Sequence, residues 1–474
     1  MKPLALEEIR RAVLGRWMSR GQEVTVLGVS TDSRGARKGD LFVALKGERF
    51  DGHEFLVQAA KAGCVSAMVN RDAAVDPGAA DGFVGRLIGV EDTTRALGEL
   101  AAYYRRLLPT TVLAVTGSNG KTTVKRMIHH VLSKRLTGSC SPKSFNNQIG
   151  VPLTLLSAGA GDDYVVCELG SNSPGEIAAL GRIVQPDIAV IVSVGATHLE
   201  KLGSVDRVAV EKASLLEMLA PDGLAVVWAD SEHLDRALRA YDRRLIRFGV
   251  SDAAELRLTG YEPVGRAQRF QLNGRWWVDL PLSGRHNSLN ALATIAVAQR
   301  FGFTQEEASA ALADFAGAEM RMQWIEAGEV AVINDAYNAN PSSMVAAAEV
   351  LTEGPGARKV MIAGDMRELG EQAIEMHVQL GREIASRKVD LLIGVGTLGR
   401  YIAKGAAEGG IAAEAFGTVE DACRAVGELL RRGDVVLIKG SRAMAMERLV
   451  EPIRGAFGGG ARAAPAGGAK GRTP

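Results

Sequence analysis

Residues 116–123 combine two glycines, a lysine and three threonines in an order that suits phosphate binding. They follow a short apolar run, Val112–Val115, and precede a stretch with helical periodicity. Glycines let backbone N–H groups approach an anion, the lysine reaches the β- and γ-phosphates of a nucleotide, and a threonine hydroxyl is a ligand for Mg²⁺. We therefore predict a nucleotide phosphate loop, formed by Thr116, Gly117, Ser118, Asn119, Gly120, Lys121 and Thr122.

This phosphate loop departs from the general pattern at one position. Val115 stands five residues before Gly120, where the general pattern has a glycine. The segment is therefore a variant that a narrower set of enzymes uses. A plain glycine turn between a strand and a helix is the alternative.

Two polar residues follow predicted strands of the same region. Glu168 comes directly after Tyr164–Cys167, and His198 lies five residues beyond the run that ends at Ser193. Since the carboxyl ends of parallel strands share one edge of a sheet, we expect both side chains on the rim that carries Lys121. A carboxylate there suits Mg²⁺. A helix N-cap or a solvated acid explains Glu168 equally well, and a loop histidine is most often a surface residue.

Other polar residues allow a binding role without requiring one. Asn287 and Asn290 share one face near a helix start, where amides can contact a base edge or merely cap the helix. Lys212 lies on a predicted helix and, taken alone, is a solvated lysine. Arg321 is placed to contact phosphate. The run Asn334–Ser342 carries more polar side chains than a plain turn needs, so we favour a site there.

Length and composition exclude several classes of protein. A chain of 474 residues is long enough for about three domains. Its 56 Lys and Arg nearly balance 55 Asp and Glu, which disfavours a nucleic-acid or membrane-surface partner. Four cysteines without ligand spacing fit a reducing compartment. No apolar run approaches the ~20 residues of a membrane span, so we expect a cytoplasmic protein without stable membrane insertion.

The elements that would position these residues fall into three α/β domains. We predict domain boundaries that give residues 1–108, 109–316 and 317–456, followed by a disordered Gly/Ala-rich tail at 457–474. In the central domain, short apolar strands alternate with helices, which predicts a parallel sheet covered on both faces. The third domain repeats this alternation. In the first domain, the loops Ser30–Arg34 and Phe50–His53 are typical of turns.

Taken together, these segments resemble the Mur ligase family of ATP-dependent amide-bond synthetases. Residues 116–122 match its signature Thr-Gly-x-x-Gly-Lys-[Thr/Ser]. Segments 144–152, 335–342 and 363–370 favour the member that joins UDP-N-acetylmuramoyl-tripeptide to D-alanyl-D-alanine, giving a precursor of peptidoglycan. The chain lacks an Asp-Asn-Pro-Arg/Lys signature, which disfavours the ligase that adds the third amino acid. Trp228 departs from the family, where asparagine is common at that strand end.

The resemblance covers residues 24–455 and implies a role for each domain. A small first domain binds the UDP end of the substrate, a central domain like a phosphate-loop ATPase binds ATP, and a Rossmann-like third domain completes the site. The implied substrate contacts are Asp32, Ser33, Arg34, Asn338, Asn340 and Asp365, with the Phe50–His53 loop, His377 and Lys439–Ser441 as weaker candidates.

The resemblance also implies how ATP and two Mg²⁺ ions are held. The phosphate loop would bind ATP, with Asn287 and Asn290 near the adenine and Arg321 and Asp335 at the phosphates. The implied metal ligands are Thr122 and Glu168 for one ion, and His198 and Lys212 for a second. Lys212 would be carbamylated, because CO₂ converts a neutral amine into a carboxylate-like ligand. The implied catalytic residues are Lys121, His198, Lys212 and Arg321.

Two alternatives stay open at this point. One is another ligase of the family, including a folylpolyglutamate synthase, which the Ser-Thr-Asp-Ser-Arg loop at 30–34 disfavours. The other is an ATPase that couples hydrolysis to motion and has no acyl acceptor. The missing first glycine of the phosphate loop counts against it. We expect the protein to be a monomer.

Overall fold

A computed structural model describes residues 1–73, 75 and 77–458 of the chain. The described chain forms two compact units. The first is Met1–Ala316 with Glu368–Gly370, and the second is Gly317–Arg367 with the chain from Glu371 onward. The first unit holds the sheets of the first and central domains, and the second holds a third sheet. The predicted class, three α/β domains on largely parallel sheets, is confirmed. The boundaries at 108 and 316 stay predictions.

The first domain is built on a five-stranded sheet that is parallel except at one edge. Its strands are, in spatial order, Arg16–Trp17, Ile88–Val90, Ser66–Asn70, Asp40–Val43 and Gly28–Ser30. A separate antiparallel pair joins Leu4–Ala5 to Thr25–Val26. The α-helices are Leu6–Ala12, Leu56–Lys61, Pro77–Ala80 and Thr93–Arg106, with a 3-10 helix at Gly52–Phe55.

The central domain contains a nine-stranded sheet. In spatial order its strands are Trp276–Leu280, Ala267–Leu272, Leu256–Val264, Arg244–Gly249, Leu224–Trp228, Ile188–Ile191, Thr111–Thr116, Tyr164–Glu168 and Gly138–Cys140. The α-helices are Lys121–Leu132, Gly150–Ser157, Glu176–Val184, Leu199–Leu202, Val205–Ala213, Glu232–Leu238, Arg285–Arg300 and Gln305–Leu312, with a 3-10 helix at Ser214–Met218. The strand that leads into the phosphate loop is therefore central, between Ile188–Ile191 and Tyr164–Glu168.

Alternate residues of that central strand enter two different cores. Val112 and Ala114 belong to a core cluster that includes residues of the first domain, whereas Leu113 and Val115 belong to a second cluster that includes residues of the helix Arg285–Arg300. A strand buried on both faces needs apolar residues at every position, which is the pattern that its sequence shows. The predicted parallel sheet covered on both faces is confirmed for this part of the domain.

One edge of the central sheet was not predicted. The segment from Leu256 to Leu280 forms three strands. The second strand pairs antiparallel with the first, and the third pairs antiparallel with the second. In the strand Ala267–Leu272, buried residues such as Phe270 and Leu272 alternate with partly exposed ones, because only one face packs on the core. The predicted strand Ile188–Ser193 is also shorter, ending at Ile191, so that Ser193 lies in the loop beyond it.

The second unit contains a six-stranded sheet, parallel except for its first pair. Its strands are, in spatial order, Gln323–Ala327, Val330–Asn334, Asp434–Lys439, Arg358–Gly364, Leu391–Val395 and Ala412–Phe416. The α-helices are Pro341–Glu353, Ala373–Ala385, Gly399–Glu408, Val419–Leu429 and Val450–Phe457, with 3-10 helices at Arg442–Met444 and Met446–Leu449. Phe457 thus closes a helix, and the rest of the predicted tail, 459–474, lies outside the described residues.

None of the helices in the described part of the chain combines the length and apolar character needed to cross a membrane.

Candidate active site

The phosphate loop has the backbone that its glycines predict. Gly117 has a φ of 152° and Gly120 a φ of 81°, in the region that L side chains rarely adopt. The helix Lys121–Leu132 begins immediately after Gly120. The start of a helix directly after a glycine-rich loop is suited to binding an anion.

Gly120 is also crowded, which leads to a first prediction. A Cβ atom on Gly120 would lie 2.5 Å from Asn290 Oδ1 and 2.7 Å from Val192 Cγ1. We expect Gly120→Ala to lower the free energy of unfolding by about 2–4 kcal/mol, from backbone strain plus overpacking. Urea unfolding measures this. Gly265→Ala is the matched control, because Gly265 has a φ of 61° with nothing within 4 Å. An equal loss in both variants would contradict the role of crowding.

The phosphate loop is fastened to the segment that follows the neighbouring strand. Asn119 N donates to Ser193 Oγ at 2.8 Å, and Gly195 N donates to Ser118 Oγ at 3.0 Å. The hydroxyl oxygens of Ser118 and Thr197 are 3.1 Å apart. These bonds hold the loop and the residues before His198 as one framework, as the shared sheet edge predicts.

Lys121 folds over its own loop. Its Nζ donates to the carbonyl oxygen of Gly117 at 2.7 Å and lies 3.4 Å from the carbonyl oxygen of Ser118. The ammonium group therefore lies against the backbone of the phosphate loop, and its contact with nucleotide phosphates stays a prediction.

Glu168 is buried beside the start of the phosphate-loop helix. Its side chain is 1% exposed, which excludes a solvated acid. Thr122 Oγ1 donates to Glu168 Oε2 at 2.9 Å, and Asn146 Nδ2 donates to Oε1 at 3.0 Å. The hydroxyl and carboxylate oxygens that the sequence suggested for one Mg²⁺ thus stand side by side.

Lys125 was missed as a site residue. It is 1% exposed, and its Nζ lies 3.0 Å from Glu168 Oε2. It lies one turn after Lys121, on a helix whose other buried residues are mostly apolar. A lysine on an otherwise buried face was the available signal, because lysine is almost never fully buried unless it is paired.

Lys212 is buried rather than solvated, so the simple interpretation of this lysine is wrong. It is 1% exposed, and Nζ donates to Ser171 Oγ at 2.6 Å. Burial, followed by the positive charge of Lys121, lowers the pKa of Lys212 to about 7. A large part of this amine is therefore neutral near pH 7, the form that reacts with CO₂.

His198 is the residue before the short helix Leu199–Leu202 and adopts a left-handed φ of 54°. Burial lowers its pKa, and the positive charges of Lys212 and Lys121 act in the same direction. The hydrogen bonds of Ser193, Gly195 and Thr197 to the phosphate loop place the next residue, His198, at the sheet edge that carries Lys121, as predicted.

Asn287 and Asn290 are buried on the first turns of the helix Arg285–Arg300. Asn290 Nδ2 donates to Asn287 Oδ1 at 3.0 Å, and Asn287 Nδ2 donates to the carbonyl oxygen of Ser283 at 2.8 Å. Asn290 also borders Gly120. The structure therefore brings one of the two amides to the phosphate loop, and their contact with adenine stays a prediction.

The predicted substrate residues of the first domain lie in a tight turn. Asp32 Oδ2 accepts from Arg34 Nη2 at 2.8 Å, and Asp32 Oδ1 accepts from Arg34 N at 3.0 Å. The Arg34 side chain lowers the pKa of Asp32 to about 2. In the second predicted loop, His53 Nε2 accepts from Asn70 N at 3.0 Å, which leaves Nδ1 to donate to Asp51. Substrate binding by Ser33 and its neighbours stays a prediction.

Several predicted residues of the second unit meet around Lys439. Its Nζ donates to Asp335 Oδ2 at 2.5 Å and to the carbonyl oxygen of Asn338 at 2.9 Å. The Arg321 guanidinium carbon lies 4.0 Å from the ring centroid of Tyr337. This polar cluster follows the strand Val330–Asn334, and its role as a binding site stays a prediction.

Three other predicted residues of that unit have structural partners. Asn340 caps the helix Pro341–Glu353. Asp365 Oδ1 accepts from the backbone N atoms of Leu398 and Gly399, at 2.8 and 2.7 Å. His377 Nε2 accepts from Met366 N at 3.0 Å, and burial lowers the pKa of this histidine. These hydrogen bonds give each of the three residues a structural role. Contact of the three with substrate stays a prediction.

The residues fit a nucleotide-associated Mg²⁺ ion better than a preformed metal cage. Among the described residues, no group of three or more His, Cys, Asp or Glu side chains is placed to hold a metal. Mg²⁺ often takes only one or two protein ligands and completes its octahedron with water and phosphate oxygens. The pair Thr122 and Glu168 meets that requirement.

A sheet of mainly parallel strands, one of which leads into a phosphate loop, defines a nucleotide-binding α/β protein. Comparison with known proteins then identifies the family within this class. Three family models match the chain: "Mur ligase family, catalytic domain" at residues 25–105, "Mur ligase middle domain" at 115–298 and "Mur ligase, glutamate ligase domain" at 320–442.

Individual relatives extend over nearly the whole chain. The UDP-N-acetylmuramoyl-tripeptide–D-alanyl-D-alanine ligase of Bacillus subtilis (strain 168) is 35% identical over 455 residues, which is 94% of this chain and 98% of the relative. A crystal structure of MurF from Acinetobacter baumannii superposes with a TM-score of 0.86 at 34% identity, covering 96% and 99% of the two chains. The MurF ligase of Thermotoga maritima in complex with ADP gives a TM-score of 0.80 at 27% identity, covering 91% and 98%.

The chain belongs to the Mur ligase family and is an ATP-dependent amide ligase. The family resemblance inferred from residues 116–122 and the other quoted segments is thereby confirmed.

Proposed function

We propose that this ligase joins D-alanyl-D-alanine to UDP-N-acetylmuramoyl-tripeptide, forming the UDP-muramoyl-pentapeptide precursor of peptidoglycan. Relatives that carry the name of this activity and span more than nine tenths of the chain support the choice of substrates. The observation that carries the chemistry is the pairing of the Thr122 hydroxyl with buried Glu168, 2.9 Å apart, at the phosphate-loop helix. ATP is the phosphoryl donor, and no nucleic acid takes part.

The reaction has two steps. A carboxylate oxygen of the tripeptide attacks the γ-phosphorus of ATP, the bond to the β-phosphate oxygen breaks, and an acyl phosphate and ADP result. The amine of D-alanyl-D-alanine then attacks the acyl carbon, loses a proton and displaces inorganic phosphate. The phosphoryl group thus turns a poor electrophile into one with a leaving group. Lys121 and the N–H groups of the phosphate loop stabilise the charge on the transferring oxygens.

The resemblance to the Mur ligase family implies two metal sites. Thr122 and Glu168 would hold one Mg²⁺, and His198 with carbamylated Lys212 would hold the second. When bound, the ions supply charge that neutralises the phosphate oxygens. Glu168 and Lys212 are both buried away from water. A hydrogen bond from Asn146 orients Glu168, and a hydrogen bond to Ser171 orients Lys212. A dry site strengthens these interactions and protects the acyl phosphate from water.

Phosphate release tests this proposal. The protein is mixed with ATP, Mg²⁺ and UDP-muramoyl-tripeptide, with and without D-alanyl-D-alanine. We expect release that requires both substrates, together with a UDP-linked product heavier by the dipeptide residue. Release from ATP alone would instead indicate an ATPase without an acyl acceptor. Activity with a different amino acid only would keep the family and reject these substrates.

A further inference from the structure

We propose that Lys125 is a positioning residue that sets the affinity of the Glu168 site for Mg²⁺ and links this site to the loop Ser141–Asn147. The inference rests on the proposed function, since it takes Glu168 as a ligand of the metal that accompanies ATP. It concerns a residue that the proposed mechanism does not use.

The ion pair between Lys125 and Glu168 is fully buried. Lys125 Nζ lies 3.0 Å from Glu168 Oε2, and each side chain is 1% exposed. Removing one partner from a buried ion pair leaves an uncompensated charge in a medium of low dielectric. Lys125 therefore balances the charge of Glu168 when no metal is bound.

The same carboxylate oxygen also serves the proposed metal ligands. Glu168 Oε2 accepts the Thr122 hydroxyl at 2.9 Å, so the hydroxyl and the Lys125 ammonium meet at one atom. A Mg²⁺ ion held by Thr122 and Glu168 would approach that atom too. Because like charges repel strongly at such separations in a buried site, Lys125 opposes metal binding until the nucleotide phosphates add negative charge.

The Lys125 ammonium also reaches the loop that precedes the helix Gly150–Ser157. Its Nζ donates to the carbonyl oxygen of Lys143 at 2.5 Å. From the same loop, Asn146 Nδ2 donates to Glu168 Oε1 at 3.0 Å, and Ser141 Oγ accepts from Glu168 N at 3.2 Å. The loop is thus attached at three points to Glu168 and its counter-ion, so a cation that shifts Lys125 acts on the loop as well.

This arrangement differs in its consequences from a merely structural ion pair. A structural pair predicts that loss of Lys125 lowers stability and leaves metal affinity unchanged or weaker. If Lys125 instead acts through its charge, loss of the lysine is expected to raise the affinity for Mg²⁺. Without the lysine, Glu168 attracts Mg²⁺ more strongly, while the loosened loop slows turnover.

Thermal unfolding with a Mg²⁺ titration at saturating ADP tests the inference on the full chain. We expect Lys125→Met to lower the Mg²⁺ concentration that gives half of the stabilisation by about tenfold. Lys125→Arg keeps the charge, so its midpoint should stay within about twofold of wild type. Lys134→Met is the matched control, because Lys134 follows the same helix and pairs with exposed Asp314 at 2.8 Å.

An unchanged or higher Mg²⁺ midpoint in Lys125→Met overturns the inference. If that variant does not fold, Lys125→Gln, which keeps a donor for the Lys143 carbonyl oxygen, must show the same fall. A tenfold fall in Lys125→Arg also overturns it, since the charge would then not be the cause. The assay contains no acyl substrate, so failure to form the amide bond would reject the proposed function without affecting this result.

Discussion

Replacing Lys121 by methionine is expected to reduce the turnover of the ligase by about 10²–10³-fold. Methionine keeps an unbranched side chain one atom shorter than that of lysine and removes its charge. The lysine Nζ lies 2.7 Å from the carbonyl oxygen of Gly117, against the backbone of the phosphate loop. Loss of one preorganised charge that stabilises a transferring group costs a factor of this size. Substrate-dependent phosphate release measures the effect.

Lys134→Met is the control for Lys121→Met, because Lys134 is partly exposed and forms an ion pair with the exposed Asp314. We expect it to retain wild-type turnover. A Lys121→Met variant that turns over within threefold of wild type would contradict the role given to the phosphate-loop lysine, provided that ADP still binds.

Replacing Lys212 by alanine is expected to lower turnover by at least about a hundredfold, in line with the loss of a metal ligand and its surroundings. Added formate or acetate should restore part of the activity, because a small carboxylate can occupy the place of the carbamate. Lys404→Ala, on the exposed face of the helix Gly399–Glu408, is the control. Full activity of Lys212→Ala would reject the carbamate.

The lowered pKa of Lys212 predicts a direction for the pH dependence. With a pKa of about 7 in place of 10.5, roughly half of the amine is neutral at pH 7, against ~1 in 3000 for an ordinary lysine. Since CO₂ reacts only with the neutral form, wild-type protein depleted of CO₂ should regain activity faster at pH 8 than at pH 6 when the same concentration of dissolved CO₂ is returned at both pH values. A faster return at pH 6 would contradict this assignment.

The phosphate loop shows what local sequence can determine. A positive φ at Gly120, a helix that starts at Lys121 and an apolar strand before Thr116 all depend on near neighbours. Parallel strands such as Tyr164–Glu168 were predictable for a related reason, because burial on both faces demands an unbroken apolar run. From these, the sheet edge that gathers Glu168 and His198 followed by topology alone.

The antiparallel strands between Leu256 and Leu280 show where local pattern fails. The alternating pattern in these strands extends over only a few residues, so it is a weak signal. The pairing of the strands also depends on contacts elsewhere in the central domain.

The sequence by itself determined the phosphate loop, the fold class and the family of this protein. Only the tertiary structure decided the partners of three of its lysines and the lowered pKa of Lys212. Lys121, Lys125 and Lys212 are the same residue type on helices, yet one lies over the loop, one pairs with Glu168 and one is buried against Ser171. The physical reason is that desolvation and ion pairing depend on groups that are distant in the chain. Lys125 and Glu168, for example, are 43 positions apart in the sequence.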